Sequence, residues 1–125
     1  MLKRVLVVDD SETVRKILEA TLTAAGYEVT EAEDGVEALA YAGSSHFDLL
    51  MTDLKMPKMD GYELVKSFRK LEGYRFTPAI MLTSENDLLK RQNCLAVGVS
   101  SWLTKPFRPE QVLKIIKMVT PTNLN

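Results

Sequence analysis

Two short runs constrain this chain most. Val5-Leu6-Val7-Val8 and Leu49-Leu50-Met51 are apolar at every position, and acid follows each: Asp9-Asp10 after the first, Asp53 after the second. A strand with one wet face alternates apolar and polar residues. A strand with no polar position has both faces covered, the signature of a parallel sheet between helical layers. In such sheets ligands and chemistry gather in the crevice beyond the carboxyl ends of the strands. Asp53 taken alone is better explained as a cap for the loop through Met56-Pro57 to Asp60-Gly61. The carboxylates of the first run give it another meaning.

The rest of the chain alternates helix and strand. Ser11 reads as an N-cap, and Val14, Ile17, Leu18 and Leu22 make one face of a helix that Gly26 stops. Tyr27 to Ala32 is a second strand. Asp34-Gly35 opens a short helix through Val36, Leu39 and Ala40, closed by Gly43-Ser44-Ser45. Leu64, Val65, Phe68 and Leu71 carry a third helix, ended by Gly73. Pro78 to Leu82 is a fourth strand, with the proline where a ladder donor is least missed. Ser84-Glu85-Asn86-Asp87 has the form of a capping box, and the helix beyond it, through Leu88, Leu89, Leu95 and Ala96 to Gly98, has the weakest apolar stripe. Ser101 to Thr104 is a brief fifth strand. Pro109 begins a last helix with Val112, Leu113, Ile115, Ile116 and Val119 inward, and Thr120-Pro121 ends it.

Short loops between five strands and five helices require right-handed crossovers. The expected fold is α/β and flavodoxin-like: a doubly wound, five-stranded parallel sheet in the order 2-1-3-4-5. The 125 residues suit one domain over 1–125, with a core at about 3–119 and a short tail. With 16 basic and 17 acidic residues the net charge is -1, so no nucleic-acid footprint is expected. The single cysteine, Cys94, allows no internal disulfide and fits a reducing cytoplasm. No run is long enough for a membrane span.

With strands one and three adjacent, Asp9, Asp10 and Asp53 share one crevice. Two such charges about 4 Å apart repel by roughly 4 kcal/mol at an effective dielectric near 20, so protons or a cation must compensate them. Oxygen ligands favour a hard divalent ion, Mg²⁺ first, with Mn²⁺ able to substitute. Thr83 and Lys105 end strands four and five at the same mouth, supplying a donor and a point charge that suit a phosphoryl group with a carboxylate nucleophile. Each residue also has a plain reading: a solvated turn for Asp9-Asp10, a turn hydroxyl for Thr83, a surface lysine for Lys105. The four together at successive strand ends fit the site better than four coincidences.

Val7-Val8-Asp9-Asp10-Ser11, Asp53-Leu54-Lys55-Met56-Pro57-Lys58-Met59-Asp60-Gly61, Leu82-Thr83-Ser84 and Leu103-Thr104-Lys105-Pro106-Phe107 resemble the receiver domains of two-component response regulators. The resemblance spans essentially the whole chain. It implies that Asp53 is the phosphoacceptor for a histidine kinase (CheA-like) or a phosphotransfer protein. It also implies that Asp9, Asp10, Asp53 and the Lys55 carbonyl hold Mg²⁺, that Lys105 contacts the phosphoryl group, and that the Lys105–Pro106 bond is cis. Thr83 and Trp102 match the family's switch pair, Trp102 standing where Tyr or Phe is usual. With Phe76 to Glu85 and no output domain in the sequence, the chain is most similar to the stand-alone chemotaxis regulators. Lys55 and Glu85 are expected to tune the lifetime of the phosphoryl group. Output is expected through the face of helix four, strand five and helix five, where Lys90, Arg91, Trp102 and Lys114 are candidates. The protein is expected to be a cytoplasmic signalling switch rather than an enzyme acting on other substrates, as a monomer or weak dimer.

Other readings compete. A flavin mononucleotide protein of the same architecture needs a phosphate-binding loop after strand one, where Asp9-Asp10 would repel it. A Mg²⁺-dependent phosphatase with an aspartyl nucleophile would place that nucleophile on strand one in a D-x-D pattern, whereas these acids are adjacent. An interaction module with the fold alone would not need the full set of site residues. A receiver cut from a larger regulator, or a phosphorelay intermediate, would carry the same residues.

Overall fold

The computed structural model describes residues 3–84 and 88–120, without the side chains of 88–90. Five parallel strands, β1 (Arg4–Val8), β2 (Glu28–Ala32), β3 (Leu49–Asp53), β4 (Ala79–Thr83) and β5 (Ser101–Thr104), lie in the order β2-β1-β3-β4-β5. Helices α1 (Glu12–Ala24), α2 (Gly35–Ser44), α3 (Gly61–Lys70), α4 (Leu88–Ala96) and α5 (Pro109–Val119) follow the strands in turn. This is the expected topology. Among the described residues no helix is long and apolar enough to cross a membrane.

Strand parity divides the core. Val5, Val7, Leu49, Met51, Ile80, Leu82 and Leu103 pack with Leu18 and Leu22 of α1 and Val112 and Ile116 of α5. Leu6, Val8, Leu50, Ala79 and Met81 pack with Ala38 and Ala42 of α2, Leu64, Val65 and Phe68 of α3, and Cys94 of α4. Every residue of β3 and β4 is buried. Each fully buried aliphatic side chain contributes roughly 1.5–3 kcal/mol, so these central strands are the rigid floor for whatever stands at their ends. In α4, by contrast, Cys94 is the one buried residue between 91 and 96. The weak apolar stripe buries little of this helix.

Local chemistry sets the helix ends. Ser11 Oγ accepts from the Val14 amide at 3.3 Å, and Asp34 Oδ1 from the Glu37 amide at 2.8 Å. Asp60 and Glu63 form a reciprocal capping box at the start of α3. Gly26 closes α1 with φ +96°, its amide donating to Thr23 and the next amide, of Tyr27, to Leu22. Tyr27 is thus still occupied with the helix, and β2 begins at Glu28 rather than at Tyr27.

Other boundaries also move. Gly43 lies inside α2. α3 ends at Lys70, so Leu71 is its extended C-cap, and Gly73, φ +90°, turns the loop beyond. Arg69 explains that loop: its guanidinium donates to the carbonyls of Tyr74, Thr77 and Gly98. Tyr74 is buried in turn, stacked on Phe68 with ring centroids 4.3 Å apart. Its hydroxyl donates to the carbonyls of Ala42 and Ser45 and accepts from the Phe47 amide, tying the end of α2 to the approach to β3.

Candidate functional site

The acids stand where the strand ends predict, with one refinement. Asp53 is the last paired residue of β3, opposite Leu82, so its backbone is held in the sheet. Asp9 follows β1 directly, its amide donating to the Ala32 carbonyl at 3.1 Å. By parity Asp9 and Asp53 continue the Val5-Val7 and Leu49-Met51 face. Asp9 is fully buried, Asp53 nearly so, and Asp10 exposed. One carboxylate oxygen from each of the three lies within 4.8 Å of the others.

Lys105 spans this cluster. Its Nζ donates to Asp9 Oδ2 at 2.8 Å and lies 3.3 Å from Asp53 Oδ1. Burial opposes its charge, but the Asp9 bond and both carboxylates outweigh burial and raise its pKa. Asp9 Oδ1 accepts from the Ser11 amide at 2.9 Å, so both oxygens of the buried carboxylate are engaged. Asp53 is less well compensated. Burial, then the charge of Asp9, push its carboxyl up to about 6, against the opposing pull of Lys105. A cleft that leaves a buried carboxylate this hard to ionise, beside two more carboxylates, has the donor set for a hard divalent cation.

Thr83 ends β4, buried, and its carbonyl accepts from the Lys105 amide at 2.8 Å. The Lys105–Pro106 bond is cis, as the resemblance implied. Register pairs Met81 with Trp102 and Thr83 with Thr104, so Thr83 and Trp102 share the α3–α4 face of the sheet. Trp102 is half-buried under the Arg91 guanidinium, 5.1 Å from the ring centroid. Its Nε1 is buried with no hydrogen-bond partner among the described residues. Arg91, Gln92, Leu95, Val99, Ser101 and Trp102 line a groove of about 390 Å³ there. Lys55 and Lys114 are exposed. Glu85 lies outside the described residues, as does the Lys90 side chain, so the expected Lys55–Glu85 pairing and the capping box over 84–87 have no structural account.

The loop after Asp53 is tightly built. The Gly61 amide donates to the Leu54 carbonyl at 2.8 Å, and a Cβ on Gly61 would sit 2.3 Å from the Asp53 carbonyl oxygen. Only glycine lets α3 begin this close to the end of β3. Lys58 adopts φ +70°, in a turn where the Met59 amide donates to the Pro57 carbonyl, and its ammonium lies 3.5 Å from Asp34. A Cβ on Gly35 would meet Met59 at 2.8 Å, so the loop and the start of α2 are in close contact.

Two residues of this neighbourhood were missed in the sequence. Arg15 donates from Nη1 to the Asp9 carbonyl at 2.6 Å and from Nε to Glu31 Oε1 at 3.2 Å. The available signal was a cation near the start of a helix, where the dipole favours acids. Glu31 on β2 offered none without the β1–β2 register.

Known proteins with this arrangement agree in fold and in sequence. The chemotaxis protein CheY1 of Helicobacter pylori is 39% identical over 122 residues, covering 96% of this chain and 98% of that one. The structure of Vibrio cholerae chemotaxis protein CheY4 superposes with a TM-score of 0.93 at 47% identity, covering 95% and 99% of the two chains. The receiver domain of the Pseudomonas aeruginosa sensor histidine kinase PA1611, which holds a magnesium ion in its active-site cleft, gives a TM-score of 0.86 at 31% identity, over 95% and 98%. Residues 5–117 match the family model of the response regulator receiver domain. With acids, lysine and hydroxyl gathered at the strand ends of that fold, the chain belongs to the response regulator receiver domain family.

Proposed function

We propose that this receiver domain is a phosphorylation-activated switch in which Asp53 accepts a phosphoryl group from a histidine kinase or a phosphotransfer protein. The observation that carries this reading is the Asp53 carboxylate beside Asp9 and Asp10, with Lys105 bridging Asp9 and Asp53. Asp9, Asp10, Asp53 and the Lys55 carbonyl would hold Mg²⁺, or Mn²⁺ in its place. An ion held there would neutralise charge on the phosphoryl oxygens. Asp53 Oδ attacks phosphorus, the bond from phosphorus to the donor nitrogen breaks, and its electron pair leaves with the imidazole. Lys105 gives up its Asp53 contact to meet a phosphoryl oxygen, and Thr83 donates to another.

The new group carries about -1.5 to -2 charges. On this reading the movement of Thr83 toward it loosens the face shared with Trp102, and the surface of α4, β5 and α5 repacks for a protein partner in chemotaxis-type signalling. The switch catalyses its own phosphorylation and dephosphorylation, with Lys55 and Glu85 governing the approach of water. It works in the cytoplasm as a monomer or weak dimer. A second reading, a module of a larger regulator or relay, is favoured by PA1611, where the similar domain belongs to a sensor kinase.

Trp102 reports on both steps. Its fluorescence is expected to change on adding Mg²⁺ and again with acetyl phosphate, and Asp53→Asn is expected to abolish the second change. A second change that persists in Asp53→Asn would remove Asp53 as acceptor.

A further inference from the structure

We infer that Arg15 is a positioning residue that sets the divalent-ion affinity of the acid cluster through the peptide backbone, with Glu31 holding it in that role. Three observations meet at this side chain. Its guanidinium is largely buried and donates to the main-chain carbonyl of Asp9, the oxygen of the peptide that joins the two acids. Its Nε is paired with Glu31 Oε1 on edge strand β2, and the second oxygen of Glu31 is taken by Lys16 at 3.0 Å. The Asp9 amide is in turn bonded to β2 through Ala32, so the residue is fixed from the same strand at its amide and its carbonyl.

The consequence is geometric and electrostatic together. The bond from Arg15 sets the plane of the Asp9–Asp10 peptide, and so the direction from which Asp10, the exposed member of the cluster, offers its carboxylate. Groups that orient ligands from outside the metal's own contacts typically change affinity 10–100-fold. Pairing with Glu31 also keeps the Arg15 charge from competing with a cation. Free of Glu31, the guanidinium would be drawn toward the Asp9 and Asp10 carboxylates and displace the ion it now helps to place. Lys105 holds Asp9 by its carboxylate and Arg15 by its carbonyl, so the two cations divide the work: one bridges the acids, the other aims them.

The inference rests on the reading that Asp9, Asp10 and Asp53 bind Mg²⁺, and the test separates the two. Mg²⁺ is titrated into the full chain, followed by Trp102 fluorescence and by the rise in thermal midpoint that the ion confers. If the unaltered protein, like an Asp10→Asn control, gives no response, the metal reading fails. With binding established, Arg15→Ala is expected to weaken Mg²⁺ about 10-fold and to shrink the Mg²⁺-dependent rise in midpoint. Arg15→Lys keeps the charge but reaches one acceptor only, and should fall between. Glu31→Gln keeps shape and a hydrogen bond while releasing the charge, and should weaken Mg²⁺ about 3-fold, less so at high salt. A purely structural Arg15 would lower the midpoint equally with and without Mg²⁺. Unchanged Mg²⁺ affinity in Arg15→Ala and Glu31→Gln would overturn the assignment.

Discussion

The β1–β3 end of the molecule and the α4–β5 edge are built to opposite standards. At the first, every polar group of Asp9 is engaged, by Ser11, Lys105, Arg15 and the Ala32 carbonyl, and β3 beneath is buried along its whole length. At the second, α4 buries Cys94 alone between 91 and 96, the indole N–H of Trp102 has no partner among the described residues, and Leu95 is 64% exposed beside an open groove. On the proposed reading the difference has a use: chemistry requires atoms fixed to fractions of an ångström, while a surface that is to repack requires little to hold it in place. The two regions share β4, whose Thr83 lies at the border.

The strongest way to break this contrast is at Gly61. Gly61→Ala places a methyl group against the Asp53 carbonyl, and urea denaturation should show a loss of about 2–3 kcal/mol together with loss of phosphodonor response. A loss below about 0.5 kcal/mol would mean that the acid end is less rigidly built than described.

Asp53 gives the next largest effect, of opposite sign. Its carboxyl is raised from 3.8 to about 6, so the native state holds a proton that the unfolded chain has released across that window. Stability therefore falls as pH rises from about 4 to 6, and the full penalty stands above 6. In Mg²⁺-free buffer Asp53→Asn should be more stable by about 2 kcal/mol at pH 8, the gain vanishing near pH 4. Denaturation midpoints across pH 4–8 check the sign.

Leu95→Ala sharpens the other side and should be the mildest. The side chain is mostly exposed, so the change should stay within about 0.5 kcal/mol and leave Mg²⁺ affinity unaltered. Calorimetry and a Mg²⁺ titration on one sample decide it.

Much of this was legible in the chain. Runs without a polar position gave β1, β3 and β4, because burial on both faces leaves no other composition available. Asp9, Asp10, Asp53 and Thr83 were legible as ends of those runs, and Lys105 as the end of the brief fifth strand. Arg15 and Glu31 were not, since their pairing depends on which strand lies beside β1, and Gly61 read as a turn residue although its lack of a side chain serves packing against Asp53. Leu71 and Gly73 misled for a related reason: Arg69 gathers distant carbonyls and fixes a loop where helical spacing continued.

Tyr74 has a mechanical consequence. Its hydroxyl grips the chain at Phe47, just ahead of β3, while Gly61 grips the far end through the Leu54 carbonyl. A rod clamped at both ends cannot slide along its own axis. On the proposed reading, a displacement at Asp53 would then pass sideways, through β4 toward β5, rather than along β3.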